Sequence, residues 1–265
     1  RRLARGRVET DARLYDMAQQ QPGEARRTLI DGMFDNPNYW LRAGLARAAL
    51  GTANGEEIGL TGPYRSREVT KTFNALGVTR TVAFDDALST TALAAARVLT
   101  EELCAQSNSP DDIVSWDLPE SYPGAMIYDA ILKRQRSASV DVNHPLFREH
   151  AWDSIRSVFA AQALLDATEP DHVLLSHCVN DRYGPLAWIA ARRGIRATVL
   201  FGQYGTNRFY KLTNTDDLFR PFDCPNGEDI AALEPDTADR LARLGRDYLN
   251  ARTGGHGNDI GPQYS

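Results

Sequence analysis

The chain has 265 residues, 42% of them hydrophobic, and a formal net charge of −5 at pH 7, enough apolar material for one large core or two modest ones. Acids and bases are interleaved, which excludes the concentrated basic surface that a nucleic-acid backbone requires. Cys104, Cys178 and Cys224 share no CxxC spacing; this argues against a disulfide framework or structural zinc site and fits a reducing compartment. With no apolar run of ~18 residues and no charged-then-apolar leader, the expectation is a cytoplasmic protein. The basic start "RRLARGR" suits a solvated helix end or, less directly, contact with anionic lipid at the inner membrane face.

In chain order, "VETDARLYDMAQQ", "EARRTLIDGMF" and "NPNYWLRAGLARAAL" carry apolar residues at helical spacing and predict three helices, an N-terminal extension over residues 1–52 with Trp40, Leu41, Leu45 and Leu50 along its docking side. "EEIGLTG" then reads as a strand and "SREVTKTFNALGV" as a helix with a serine cap and a terminal glycine. "RTVAFDD" with "ALSTTALAAARVLTEELC", and "DDIVSWDLP" with "GAMIYDAILKRQR", repeat the strand-helix pattern. A long helix follows from about 145 to 167. "HVLLSH" with "GPLAWIAARRG" is the clearest unit, and "RATVLFG" supplies a last strand. Apolar strands separated by crossover helices predict a parallel sheet of five or six strands covered on both faces, a Rossmann-like α/β domain over 53–265.

In such a sheet, ligands bind in the crevice along the carboxyl ends of the strands. "HCVNDRYG" lies between a strand and a helix start, where free amides favour anions. The loops after the last three predicted strands therefore nominate His177, Asp181, Arg182, Tyr183, Gly184, Gln203, Tyr204, Lys211, Glu120, Tyr122 and Asp129. "GLTGPYRS" lacks both GxGxxG and the P-loop pattern. GxSxG and HExxH are also missing from the sequence.

"YPGAMIYDAILKR" (122–134) resembles the segment "GxxIYDxxLR" of bacterial surface-polysaccharide glycosyltransferases, the capsule and lipopolysaccharide group that includes transferases of 3-deoxy-manno-octulosonic acid. "HCVNDRYGPLAWIAARRGI" resembles that group's later strand-end histidine followed by Tyr, Gly and a helix. The resemblance covers about residues 55–212. It implies a GT-B transferase, with two Rossmann-like domains facing across a cleft. The acceptor contacts lie mostly in the first domain and the nucleotide-sugar contacts mostly in the second. No second series of strands follows residue 212, so the chain is expected to be the N-terminal, acceptor-side half, completed by a C-terminal domain or partner chain.

The implied chemistry is glycosyl transfer from a nucleotide sugar to a glycan or lipid-linked glycan hydroxyl, with Asp129 or His177 taking the hydroxyl proton. No cofactor is expected, and the lack of a strand-end DxD suits metal independence. Each residue has a structural alternative. Asp129 could offset a helix dipole, His177 could bond a neighbouring backbone group, Asp181 could cap the following helix, and Cys178 reads as a small buried thiol. Arg182 and Lys211 suit an anionic sugar or plain solvation. Tyr128, Trp152 and Trp188 read as core, and His144 as the opening of the long helix. The competing reading keeps the fold without the chemistry, as a sugar- or nucleotide-binding module of a polysaccharide assembly complex.

Overall fold

The computed structural model describes residues 27–33, 37–52, 55–62, 65–180, 182–201, 208–219 and 231–253. The chain forms two compact units, Arg1–Arg220 and Pro221–Ser265. The first contains β1 (Arg27–Asp31), α1 (Pro37–Leu50), β2 (Glu56–Thr61), α2 (Arg67–Ala75), β3 (Arg80–Ala83), α3 (Thr90–Gln106), α4 (Pro110–Val114), α5 (Gly124–Gln135), α6 (Phe147–Thr168), β4 (His172–Leu175), α7 (Tyr183–Arg192), β5 (Arg196–Phe201) and β6 (Arg208–Leu212), with 3-10 turns at Pro119–Ser121 and Thr215–Phe219. In the second unit, α8 (Pro235–Thr253) is the one long element among the described residues.

The six strands lie in the order β3-β2-β1-β4-β5-β6. The first five are parallel, and β6 pairs antiparallel with β5. This is the Rossmann-like α/β layer expected from the alternating elements. On one face Ile30, Leu174 and Leu200 form a buried cluster with Tyr39, Ala43 and Ala46 of α1 and Val69 and Phe73 of α2. Side chains alternate across a strand, so Leu29 and Val173 turn to the other face. There α7 lies against β4 and β5, α6 against α7 and α3 against α6.

Three elements differ from the sequence expectation, one of them β6, an antiparallel strand in a segment read as a loop. Residues 27–31, expected to be helical, are a central strand, so the described part of the 1–52 segment belongs to the sheet as well as to a helix. Thr28, Leu29, Ile30 and Asp31 are all buried, and a strand covered on both faces loses the alternation that marks a half-buried one. Its apolar run then mimics helical spacing. "DDIVSWDLP" is not a strand but α4 and a loop. Ser109 and Asp112 form a capping box and Pro110 occupies the first turn, which commits the segment to helix. The helix at 37–50 is as expected, but its inward side is Tyr39, Ala43 and Ala46, with Trp40 and Leu50 partly buried; Leu41 and Leu45 are exposed.

Arg47 of α1 grips Glu57 of β2, with Nε donating to Oε1 at 2.8 Å and Nη2 to Oε2 at 2.5 Å. Both side chains are nearly buried, and Thr52 Oγ1 adds a bond to the same carboxylate. Removing one partner leaves the other charge buried, so Glu57→Ala is expected to cost about 3–5 kcal/mol in urea unfolding. A cost below about 1 kcal/mol, the range of a solvent-screened pair, would contradict the account.

His172, buried at the start of β4, lies 2.8 Å from Thr198 Oγ1. Burial first, then Arg196 and Lys211, pushes it down to about 4. Above the ordinary imidazole value near 6.5 the ring is neutral folded and unfolded. Below it only the unfolded chain takes the proton. Stability should therefore fall as pH drops from about 6.5 to about 4, by up to roughly 3 kcal/mol. His172→Gln should flatten that slope in unfolding measured across the window, and an unchanged slope would contradict it.

Candidate functional site at the β1–β4 junction

β1 and β4 are parallel neighbours, but the chain leaves one toward β2 and the other toward β5. Their carboxyl ends thus flank the point where the winding of the sheet reverses, the usual ligand crevice of this architecture. Asp31 ends β1 and is fully buried. Its Oδ1 accepts from Met33 N at 2.7 Å. Its Oδ2 accepts from Ser176 N at 3.0 Å and from Ser176 Oγ at 2.5 Å. The next residue, His177, places Nδ1 2.9 Å from the same Ser176 Oγ, and its ring lies 5.0 Å from that of Tyr183.

Burial raises the Asp31 carboxyl above its usual range, against the pull of the Ser176 and Met33 donors. His177 is held below its ordinary value by burial, then by Lys133 and Arg42, so the neutral imidazole dominates at pH 7. Tyr183 is raised by burial and then by Asp31, opposed by a hydrogen bond with Ser176. Tyr39 is raised by burial, then by Asp31 and Tyr183, and its hydroxyl is buried without a partner. Cations from α1 and α5 thus face one neutral histidine, whose neighbours are tied to a buried carboxylate.

The positions expected from sequence separate. His177, Tyr183 and Gly184 are at the junction. Arg182 precedes α7 with its Nε buried and unpartnered. Asp181, Gln203 and Tyr204 lie outside the described residues. Tyr122 does not follow a strand; it is buried with its ring edge-on to Trp188, centroids 6.2 Å apart, and its hydroxyl lies beside Gly184. Glu120 is not on this edge. Arg193, just past the far end of α7, donates through Nε to Glu120 Oε1 at 3.1 Å and also pairs with Asp166. Glu120 and Ser121 both have left-handed backbone angles, strain on the order of 1–2 kcal/mol per residue, which the Arg193 pair and the bond from Trp188 Nε1 to Glu120 O offset. Lys211 sits within β6 opposite Thr198, and its charge reaches His172 at the start of β4, whereas His177 lies beyond the end of that strand. Asp129 is exposed in the middle of α5, too far along for a capping role. One turn on, Lys133 Nζ donates to Asn180 Oδ1 at 3.3 Å. Cys178 is buried and its thiol is pushed up to about 12, which fits the packing role. Among the described residues, no group of three or more His, Cys, Asp or Glu is placed to hold a metal ion.

Sequence reasoning missed Asp31, Ser176, Tyr39, Arg42 and Lys133. The available signal was the β-branched and apolar run Thr28-Leu29-Ile30 followed by Asp-Gly and an Asn-Pro helix start, which is a strand-turn-helix unit. Comparison with known proteins gives no match to any family model or curated protein.

Gly184 fixes how closely α5 approaches α7. A Cβ there would stand 2.7 Å from Tyr122 Oη and 3.1 Å from Met126 Cε. Gly184→Ala is expected to cost about 1–3 kcal/mol through overpacking. Tyr122→Phe should recover part of that cost by removing the nearest atom. A double-mutant cycle in urea reads the coupling, and equal costs in both backgrounds would contradict the packing account.

Proposed function

We propose that the chain is the acceptor-side half of a GT-B glycosyltransferase of bacterial surface-polysaccharide biosynthesis. It transfers a sugar from a nucleotide sugar to a glycan or lipid-linked glycan hydroxyl. The observation that carries this reading is His177, a neutral imidazole at the reversal point of a Rossmann-like sheet within the segment that resembles those transferases. The acceptor oxygen forms a bond to the anomeric carbon as the bond from that carbon to the donor phosphate oxygen breaks. The leaving nucleotide keeps the electron pair. The hydroxyl proton passes to His177, a transfer worth about 10²–10⁴-fold in rate. Asp129, exposed in the middle of α5, is the alternative base.

Lys133 and Arg42 serve two ends here. They keep the resting imidazole unprotonated and offer positive charge to an anionic substrate. Contacts to the nucleotide belong to the second domain or a partner chain. The donor class places the reaction in the cytoplasm, at the inner membrane face for a lipid-linked acceptor. Among the described residues no helix is long and apolar enough to cross a membrane.

In the complete enzyme, His177→Ala should lower turnover by ~10²-fold or more with little change in melting temperature. If the residue serves packing alone, stability should fall instead, by ~1–3 kcal/mol for the unmet hydrogen-bond partner, with turnover retained. That result would favour the non-catalytic binding-module reading.

A further inference from the structure

We propose that Asp31 and Ser176 are positioning residues that fix the tautomer of His177, so that its Nε2 presents the lone pair that receives the substrate proton. This rests on the reading of His177 as the base.

The argument is a count of hydrogens. Ser176 Oγ carries a single hydrogen and lies between two groups: Asp31 Oδ2 at 2.5 Å and His177 Nδ1 at 2.9 Å. An ionised carboxylate only accepts. Asp31 receives two backbone N–H groups and this hydroxyl on its two oxygens, the pattern that suits the ionised form. The separation from Ser176 Oγ also falls in the short range of hydroxyl-to-carboxylate bonds. The serine hydrogen therefore goes to Asp31, and the two lone pairs of Oγ are left to accept. His177 Nδ1, 2.9 Å away, must therefore donate its N–H to one of them. A neutral imidazole with its proton on Nδ1 carries its lone pair on Nε2.

The same chain serves the charged state. When Nε2 takes a proton from an acceptor hydroxyl, Nδ1–H keeps its bond to Ser176 and no other hydrogen moves. The buried charge of Asp31 then stands one hydroxyl away from the new imidazolium. Asp31 and Ser176 are nearly closed to solvent; they act through the ring.

Nitrogen-15 NMR of the histidine-labelled chain tests this without any substrate. The five histidines are distinguished by the resonance lost in His177→Gln. At a pH above the titration of the ring, the wild-type His177 should show a proton-bearing Nδ1 and a lone-pair Nε2. Ser176→Ala should shift the population toward the Nε2–H form, and Asp31→Ala should do the same by releasing the serine hydrogen. Ser176→Ala leaves the buried carboxylate its two backbone donors and decides the matter alone if Asp31→Ala does not fold. A wild-type ring with its lone pair on Nδ1, or a Ser176→Ala ring with the wild-type tautomer, overturns the proposal. A correct tautomer in an enzyme that transfers no sugar overturns the proposed function and leaves the positioning of His177 standing.

Discussion

A carboxylate buried at the seam of the sheet governs the arrangement. Asp31 sits where β1 and β4 meet, fully removed from water, and an ionised group there is costly unless donors surround it. Met33 N comes from the turn after β1; Ser176 N and Oγ come from the turn after β4. Both turns must hold their positions for the charge to be tolerated. The geometry of the crevice thus follows from satisfying one carboxylate.

The surrounding helices are set by equally local constraints. The Arg47–Glu57 pair ties α1 to β2, which places Tyr39 and Arg42 on the junction side. Glycine at 184 lets Tyr122 and Met126 lie against the start of α7, while Glu120 holds Arg193 just past the other end of that helix. Fixed at both ends, α7 presents Tyr183 beside His177. The run of α5 carries Lys133 to Asn180, so a helix that contributes no strand-end loop still delivers a cation to the site.

The sequence made β2 to β5 legible and hid the first and last strands. β4 and α7 announce themselves because three apolar residues, Val173 to Leu175, end in a polar cluster and a glycine-led apolar helix follows. β1 does not, because Leu29, Ile30 and Met33 fall at helical spacing and burial on both faces removes the strand's own period. Losing β1 meant losing Asp31, and with it the reason Ser176 matters. His177 was found from its position after a strand. Glu120 and Lys211 were assigned to the crevice through one segment misread as a strand and one strand misread as a loop. Their actual partners, Arg193 and the β5–β6 pairing, are long-range contacts that no local pattern encodes.

The central claim is that the junction holds a neutral, proton-accepting imidazole at physiological pH. Arg42 acts on the ring from α1 and Lys133 from α5, while the Tyr183 ring lies beside it at the start of α7. Burial and the two cations hold the ring below its ordinary value. A proton NMR titration that follows the His177 ring resonance between pH 4 and 9 measures the balance directly. The account predicts a midpoint below the ordinary value of about 6.5; a midpoint at or above it would mean that a cationic histidine occupies the crevice and would contradict the assignment of His177 as the base.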